Sequence, residues 1–189
     1  QLSHLAQAEQ ENFRTLDAIH DTQRLEEMLL VALKSPENET SENAFRYLSG
    51  RISPFAIPSI GDQKYSTRTF FTIALEHYNA RAIRAFSRFL QGNSSKAQEY
   101  RAIVHQKNPL QQMYRGISLT IRFSEEEIAR HIFAAREISL TLLPLMPELL
   151  NEEVYANVID AYDSATLKAF WQIQLPPTPV LRLEAMSVI

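Results

Sequence analysis

An all-α chain built of stacked antiparallel helix pairs is the fold class this sequence predicts, and three observations predict it. Apolar residues recur at helical spacing through most of the 189 residues. Only 4 glycines are present, too few for the tight turns of a Gly-punctuated all-β fold. At several places a ring residue, a helix-capping residue and an aliphatic residue follow one another at fixed spacing, which marks a helix start after a short corner.

The elements follow in order. Residues 2–19 set Leu2, Leu5, Ala6, Phe13, Leu16 and Ile19 among polar residues, which suits an amphipathic helix. A second helix is expected near 22–34. KSPENETSEN (34–43) reads as a polar loop, and AFRYLSG (44–50) as a short helix closed by Gly50. RISPFAIPSIGDQKYST (51–67) holds Pro54, Pro58 and Gly61 and is expected to be irregular. Helices are expected near 69–77, 80–91, 95–105, 109–121, 125–143, 147–161 and 164–174, with QGNSS (91–95) as a break. LPPTP (175–179) stops the last of them, because proline lacks a backbone donor and fixes φ. One helical domain is therefore expected over 1–175, followed by an extended tail over 176–189.

Four corners carry the repeat argument: His20-Asp21, Tyr78-Asn79, Phe123-Ser124 and Tyr162-Asp163. At each, the second residue is expected to cap a helix and the ring to fold over an aliphatic residue four beyond the cap, such as Ile83 or Leu167. Ser124 with Glu127 adds a capping box. After two of these corners, IRAFSRF (83–89) and LKAFWQI (167–173) match in class at most positions. The stretch TFFTIALEHYNARAIRAF (69–86) resembles an ankyrin repeat through Thr69, Ile73, Ala74, Glu76, the corner at His77 to Asn79, and Ile83. NPLQQM (108–113) is similar to the opening of another. The glycines usual at the corner and after the second helix are missing, and Phe70 stands where proline is usual. The cap spacings of 58, 45 and 39 residues are nearer the HEAT or armadillo period, so a generic α-solenoid stands as the alternative. The resemblance implies a non-catalytic adaptor, or an effector of an intracellular bacterium, acting in the cytoplasm or in the host cytosol.

Composition narrows the chemistry. Without cysteine there is no disulfide, thiolate metal site or Cys nucleophile. Neither a phosphate-binding glycine loop, a nucleophile elbow nor a His-Glu-x-x-His pattern occurs. Glu127 and His131, at i and i+4, read as a surface pair rather than a metal site. No enzyme activity, cofactor or metal is expected. SLTLLPLMPELL (139–150) is too short to span a bilayer and is broken by Pro144 and Pro147. The opening at Gln1, followed by LSHLAQAEQENF, does not read as a signal peptide and suggests a segment of a larger protein.

Charge is the sharper functional signal. The formal net charge of −3 hides segments of −6 over 1–42, +9 over 43–122 and −6 over 123–189. Within the basic middle, Arg81, Arg84 and Arg88 fall in a narrow stripe of one helix, opposite Ala82, Ile83, Phe86, Phe89 and Leu90. With Lys64, Arg68, Arg101 and Lys107 they form the expected binding surface. Its partner is expected to be a protein with an acidic surface, with nucleic acid or an acidic lipid head group as the alternative.

Overall fold

The computed structural model describes residues 21–36, 40–59, 67–119 and 124–189, and these are helical with no strand among them. The expected helix at 2–19, the ring residues His20 and Phe123, and Lys64 lie outside the described residues. Helix α1 covers 21–34, so Asp21, expected as a cap, already lies inside a helix. The helices that follow are α2 (Glu42–Ser49), α3 (Phe70–Glu76), α4 (Ala80–Ser87), α5 (Ser95–Gln106), α6 (Pro109–Leu119), α7 (Glu125–Leu142), α8 (Glu152–Asp160), α9 (Ser164–Ile173) and α10 (Pro179–Val188). Single 3₁₀ turns extend α4 at Arg88–Leu90 and precede α8 at Pro147–Leu149. None of the described helices is long and apolar enough to cross a membrane.

Local chemistry accounts for the starts. The side chains of Ser41, Thr69, Asn79, Ser94, Ser124, Asn151, Asp163 and Thr178 each accept a hydrogen bond from a backbone N–H in the first turn of α2, α3, α4, α5, α7, α8, α9 and α10. Ser124 and Glu127 form the expected capping box. The helix expected over 147–161 is divided, because Asn151 caps a new helix at Glu152.

The tail is not extended. Residues Pro179–Val188 form α10, with Thr178 as cap and Pro179 in the first turn. There proline's missing donor costs nothing and its fixed φ fits the helix. Leu181 and Ala185 are buried, and α10 packs on α8.

Helix α4 lies between α2 and α7, while α6 touches α3, α7 and α8, and α8 in turn touches α10. Phe45, Phe70, Phe86, Tyr114, Tyr155 and Phe170 are the largest fully buried side chains among the described residues; Phe45 meets Phe86 across α2 and α4, and Phe170 meets Tyr114 and Tyr155.

The corners at Tyr78-Asn79 and Tyr162-Asp163 are built alike. Both tyrosines have left-handed backbone, with φ of 51° and 53°. In the first corner Tyr78 N–H bonds to Leu75 O at 3.0 Å and Asn79 N–H to Ala74 O at 2.9 Å. In the second, Tyr162 N–H bonds to Ile159 O at 2.9 Å and Asp163 N–H to Val158 O at 3.4 Å. This is the Schellman closure, in which glycine usually takes the left-handed position. Here tyrosine takes it, in place of the glycine usual at such a corner.

The left-handed turn also undoes the expected staple at the second corner. Tyr162 is 80% exposed, while Leu167 is fully buried without it. Ile83 is likewise fully buried, and the Tyr78 ring stacks on His131 of α7. Tyr162→Gly is expected to raise the unfolding free energy by about 1 kcal/mol, since it relieves a left-handed L-residue and removes little packing. A chemical denaturation curve checks this; a loss of stability would mean that the Tyr162 ring is packed in solution.

Candidate functional site

A cleft of about 550 Å³ opens between the α3–α4 corner and α7. From α4 it takes Arg81 and Arg84, both in the expected stripe, and from the corner it takes His77 and Tyr78. The face of α7 supplies Glu127, Arg130, His131, Phe133 and Glu137. The floor is the Tyr78–His131 stack, with ring centroids 4.2 Å apart and planes 12° from parallel. Gly116 of α6 makes room for it, because a Cβ there would lie 3.2 Å from Tyr78 Oη. Burial raises the Tyr78 phenol above its ordinary value. Burial is also the largest influence on His131, lowering it, with Glu127 opposing and Arg130 adding to the effect. Near neutral pH the floor is thus a protonated phenol against a neutral imidazole.

The walls carry both signs of charge. Arg84 reaches Glu42 of α2 at 3.4 Å and Glu137 of α7 at 4.0 Å, tying three helices together. Glu127 accepts from Ser124 N–H at 3.3 Å in the capping box. At the rim Phe133 is 57% exposed, and Leu140, seven residues on and so on the same face of α7, is 41% exposed. The site therefore offers aromatic surface between guanidinium and carboxylate groups.

The expected binding surface is divided among several places. Arg88 donates to Arg46 O at 2.7 Å and to Ser49 Oγ at 3.1 Å, satisfying a carbonyl in the last turn of α2. Arg101 donates to Leu90 O at 2.6 Å and Gly92 O at 2.7 Å, closing the turn before α5. Arg68 pairs with Glu76 at 3.0 Å. Lys107 lines a separate polar cleft of about 330 Å³ with His105, Gln111 and Arg115. Of the described residues in the expected set, only Arg81 and Arg84 line the main cleft.

Acidic flanks and basic middle meet in ion pairs on the surface of the fold. Glu42, from the acidic first segment, pairs with Arg84, and Glu137 and Glu153, from the acidic last segment, meet Arg84 and Arg115. Segment charge hid Arg130, His131 and Phe133, because they belong to the acidic third of the chain. The i, i+4 spacings of Glu127 with His131 and of Glu126 with Arg130 are the local sequence signals on α7.

No protein-family model matches the chain, and comparison with curated proteins and with solved structures found no match.

Proposed function

We propose that this chain is a non-catalytic protein–protein interaction module, an adaptor or effector-type domain of ankyrin-like stacked helix pairs acting in a cytosol. Its α4–α7 cleft receives the partner. The observation that carries this reading is Phe133, exposed on the cleft rim among Arg81, Arg84, Arg130 and the carboxylates of Glu127 and Glu137. Aromatic and arginine side chains concentrate binding energy at protein interfaces. Mixed charge of this kind complements a protein surface that presents carboxylates beside apolar groups. The two corners of like geometry support the repeat reading, and helix pairs stacked in rows give an extended face for partners.

Nucleic acid or an acidic lipid surface is the alternative. Either would need basic groups gathered along one track, whereas Arg84, Arg68 and Arg115 pair with glutamates and Arg88 and Arg101 hold carbonyls. The deciding measurement compares the wild-type chain with Arg81→Glu and Phe133→Ser variants in cross-linking and quantitative capture of protein partners. In parallel, single-stranded RNA and vesicles with phosphatidylserine are titrated at low and high salt. A protein partner captured by the wild type and lost by both variants is the expected result. Micromolar binding to RNA or vesicles that Arg81→Glu abolishes, with no protein captured, would replace the proposal by the anion-binding alternative.

A further inference from the structure

A partner suited to the α4–α7 cleft presents carboxylates beside apolar groups, and the outward face of α7 is such a surface. Arg130, Phe133, Ala134 and Glu137 all line the cleft, and their i, i+3, i+4, i+7 spacing puts them on one face of α7. Phe133 and Leu140 are exposed on this helix. Arg130 is exposed as well, and the Glu137 side chain is 42% exposed. The order of these residues is self-complementary. Arg130 lies three residues before Phe133, and Glu137 lies three residues after Ala134. A two-fold axis crossing the helix between Phe133 and Ala134 therefore sets Arg130 of each copy against Glu137 of the other. It also sets each Phe133 ring against the small Ala134 of the other copy.

We infer that the partner of this cleft is a second copy of the chain, with the two α7 helices packed antiparallel about that axis. The inference rests on reading the cleft as a protein-docking site, and it names the occupant. Charge decides the orientation. Parallel helices in register would place Arg130 on Arg130 and Glu137 on Glu137, whereas the antiparallel pair forms two ion pairs and covers two aromatic rings. Both charged groups can serve a partner in addition to their contacts within the chain. A guanidinium carries five donors. Arg84 approaches Glu137 Oε2 at 4.0 Å, too far for a hydrogen bond, so the carboxylate can accept from a closer donor. Each copy contributes one helix face, which is the small end of specific interfaces, so the dimer is weak.

Sedimentation equilibrium of the full chain, from micromolar to near-millimolar concentration, is expected to show a monomer–dimer equilibrium that weakens as salt rises. Arg130→Glu and Glu137→Arg each turn both ion pairs into like-charge contacts. Each is expected to weaken self-association about fivefold or more. An equal mixture of these two variants is expected to associate again, because in the mixed dimer arginine faces glutamate at both places. Phe133→Ser is expected to weaken association at low and high salt alike. None of the three side chains is buried, so circular dichroism should be unchanged. A chain that stays monomeric throughout, or a dimer indifferent to Arg130, Phe133 and Glu137, would overturn the inference. So would a mixture that associates no better than either variant alone, because a two-fold α7 pair must be rescued by the swap. A monomer that captures a different protein, and loses it with Arg81→Glu and Phe133→Ser, would overturn the inference and leave the reading of the cleft standing. A monomer that captures no protein would end both.

Discussion

Asp163→Ala is expected to lower the unfolding free energy by about 3–5 kcal/mol, the range for breaking a buried ion pair from one side. Asp163 is buried, and only a quarter of the Arg136 side chain is exposed. The carboxylate accepts from Arg136 Nη2 at 3.1 Å and from Thr166 N–H at 3.1 Å, and the Thr166 hydroxyl also donates to it. Arg136 Nε donates to the same hydroxyl at 2.9 Å. One side chain thus caps α9 and anchors the α8–α9 corner to α7. Removing it leaves a guanidinium without its counter-charge and a first-turn N–H without its acceptor. Asp163→Asn is expected to cost less, because its carbonyl still caps while its amide meets Arg136 donor to donor. Urea denaturation with an unchanged slope measures both. A loss for Asp163→Ala near that of an ordinary surface substitution would show that Arg136 and Asp163 are solvated rather than paired.

The corresponding cap in the first corner uses different chemistry for the same end. Asn79 accepts from Ala82 N–H at 3.1 Å, and its amide donates toward Ala32 O at 3.3 Å and Leu33 O at 3.4 Å. Carbonyl oxygens at the end of α1 need a donor, and a guanidinium on α7 needs an acceptor. That requirement accounts for asparagine at one corner and aspartate at the other.

Phe170→Ala is expected to cost about 3–5 kcal/mol through lost burial and the cavity left behind. The ring is fully buried. It meets Tyr114 of α6 edge-on at 5.8 Å and Tyr155 of α8 at 6.2 Å, so it joins α9 to both. Neither tyrosine can swing in to fill the gap, because Tyr114 Oη is held by Ser139 Oγ at 3.2 Å and Tyr155 Oη donates to Gln174 O. The thermal midpoint should fall, and near-ultraviolet dichroism should lose tyrosine signal. A cost below about 1 kcal/mol would mean that the core relaxes around the site.

Helix identity and most helix starts were legible in the sequence, because capping is local: Asn79, Ser124 and Asp163 act within three residues of themselves, and no distant neighbour is needed. The register of α4 was legible for the same reason, since helical geometry alone turns Ile83 and Phe86 inward and Arg81 and Arg84 away from them. The start of α10 was written there too, in Thr178-Pro179. A proline that ends one helix can begin the next, however, and only packing on α8 buries Leu181 and Ala185. What became of each arginine was decided by the elements brought beside it: Glu42 and Glu137 for Arg84, the end of α2 for Arg88, the turn at Gly92 for Arg101. Tyr78 and Tyr162 mark the boundary most sharply. Local sequence gives both the same corner, and the left-handed backbone sends both rings outward; α7 lies against the first, and the second stays exposed. Capping and periodicity act over a few residues of one helix and can be read from the chain, whereas a side chain's partner depends on which distant helices the core draws together.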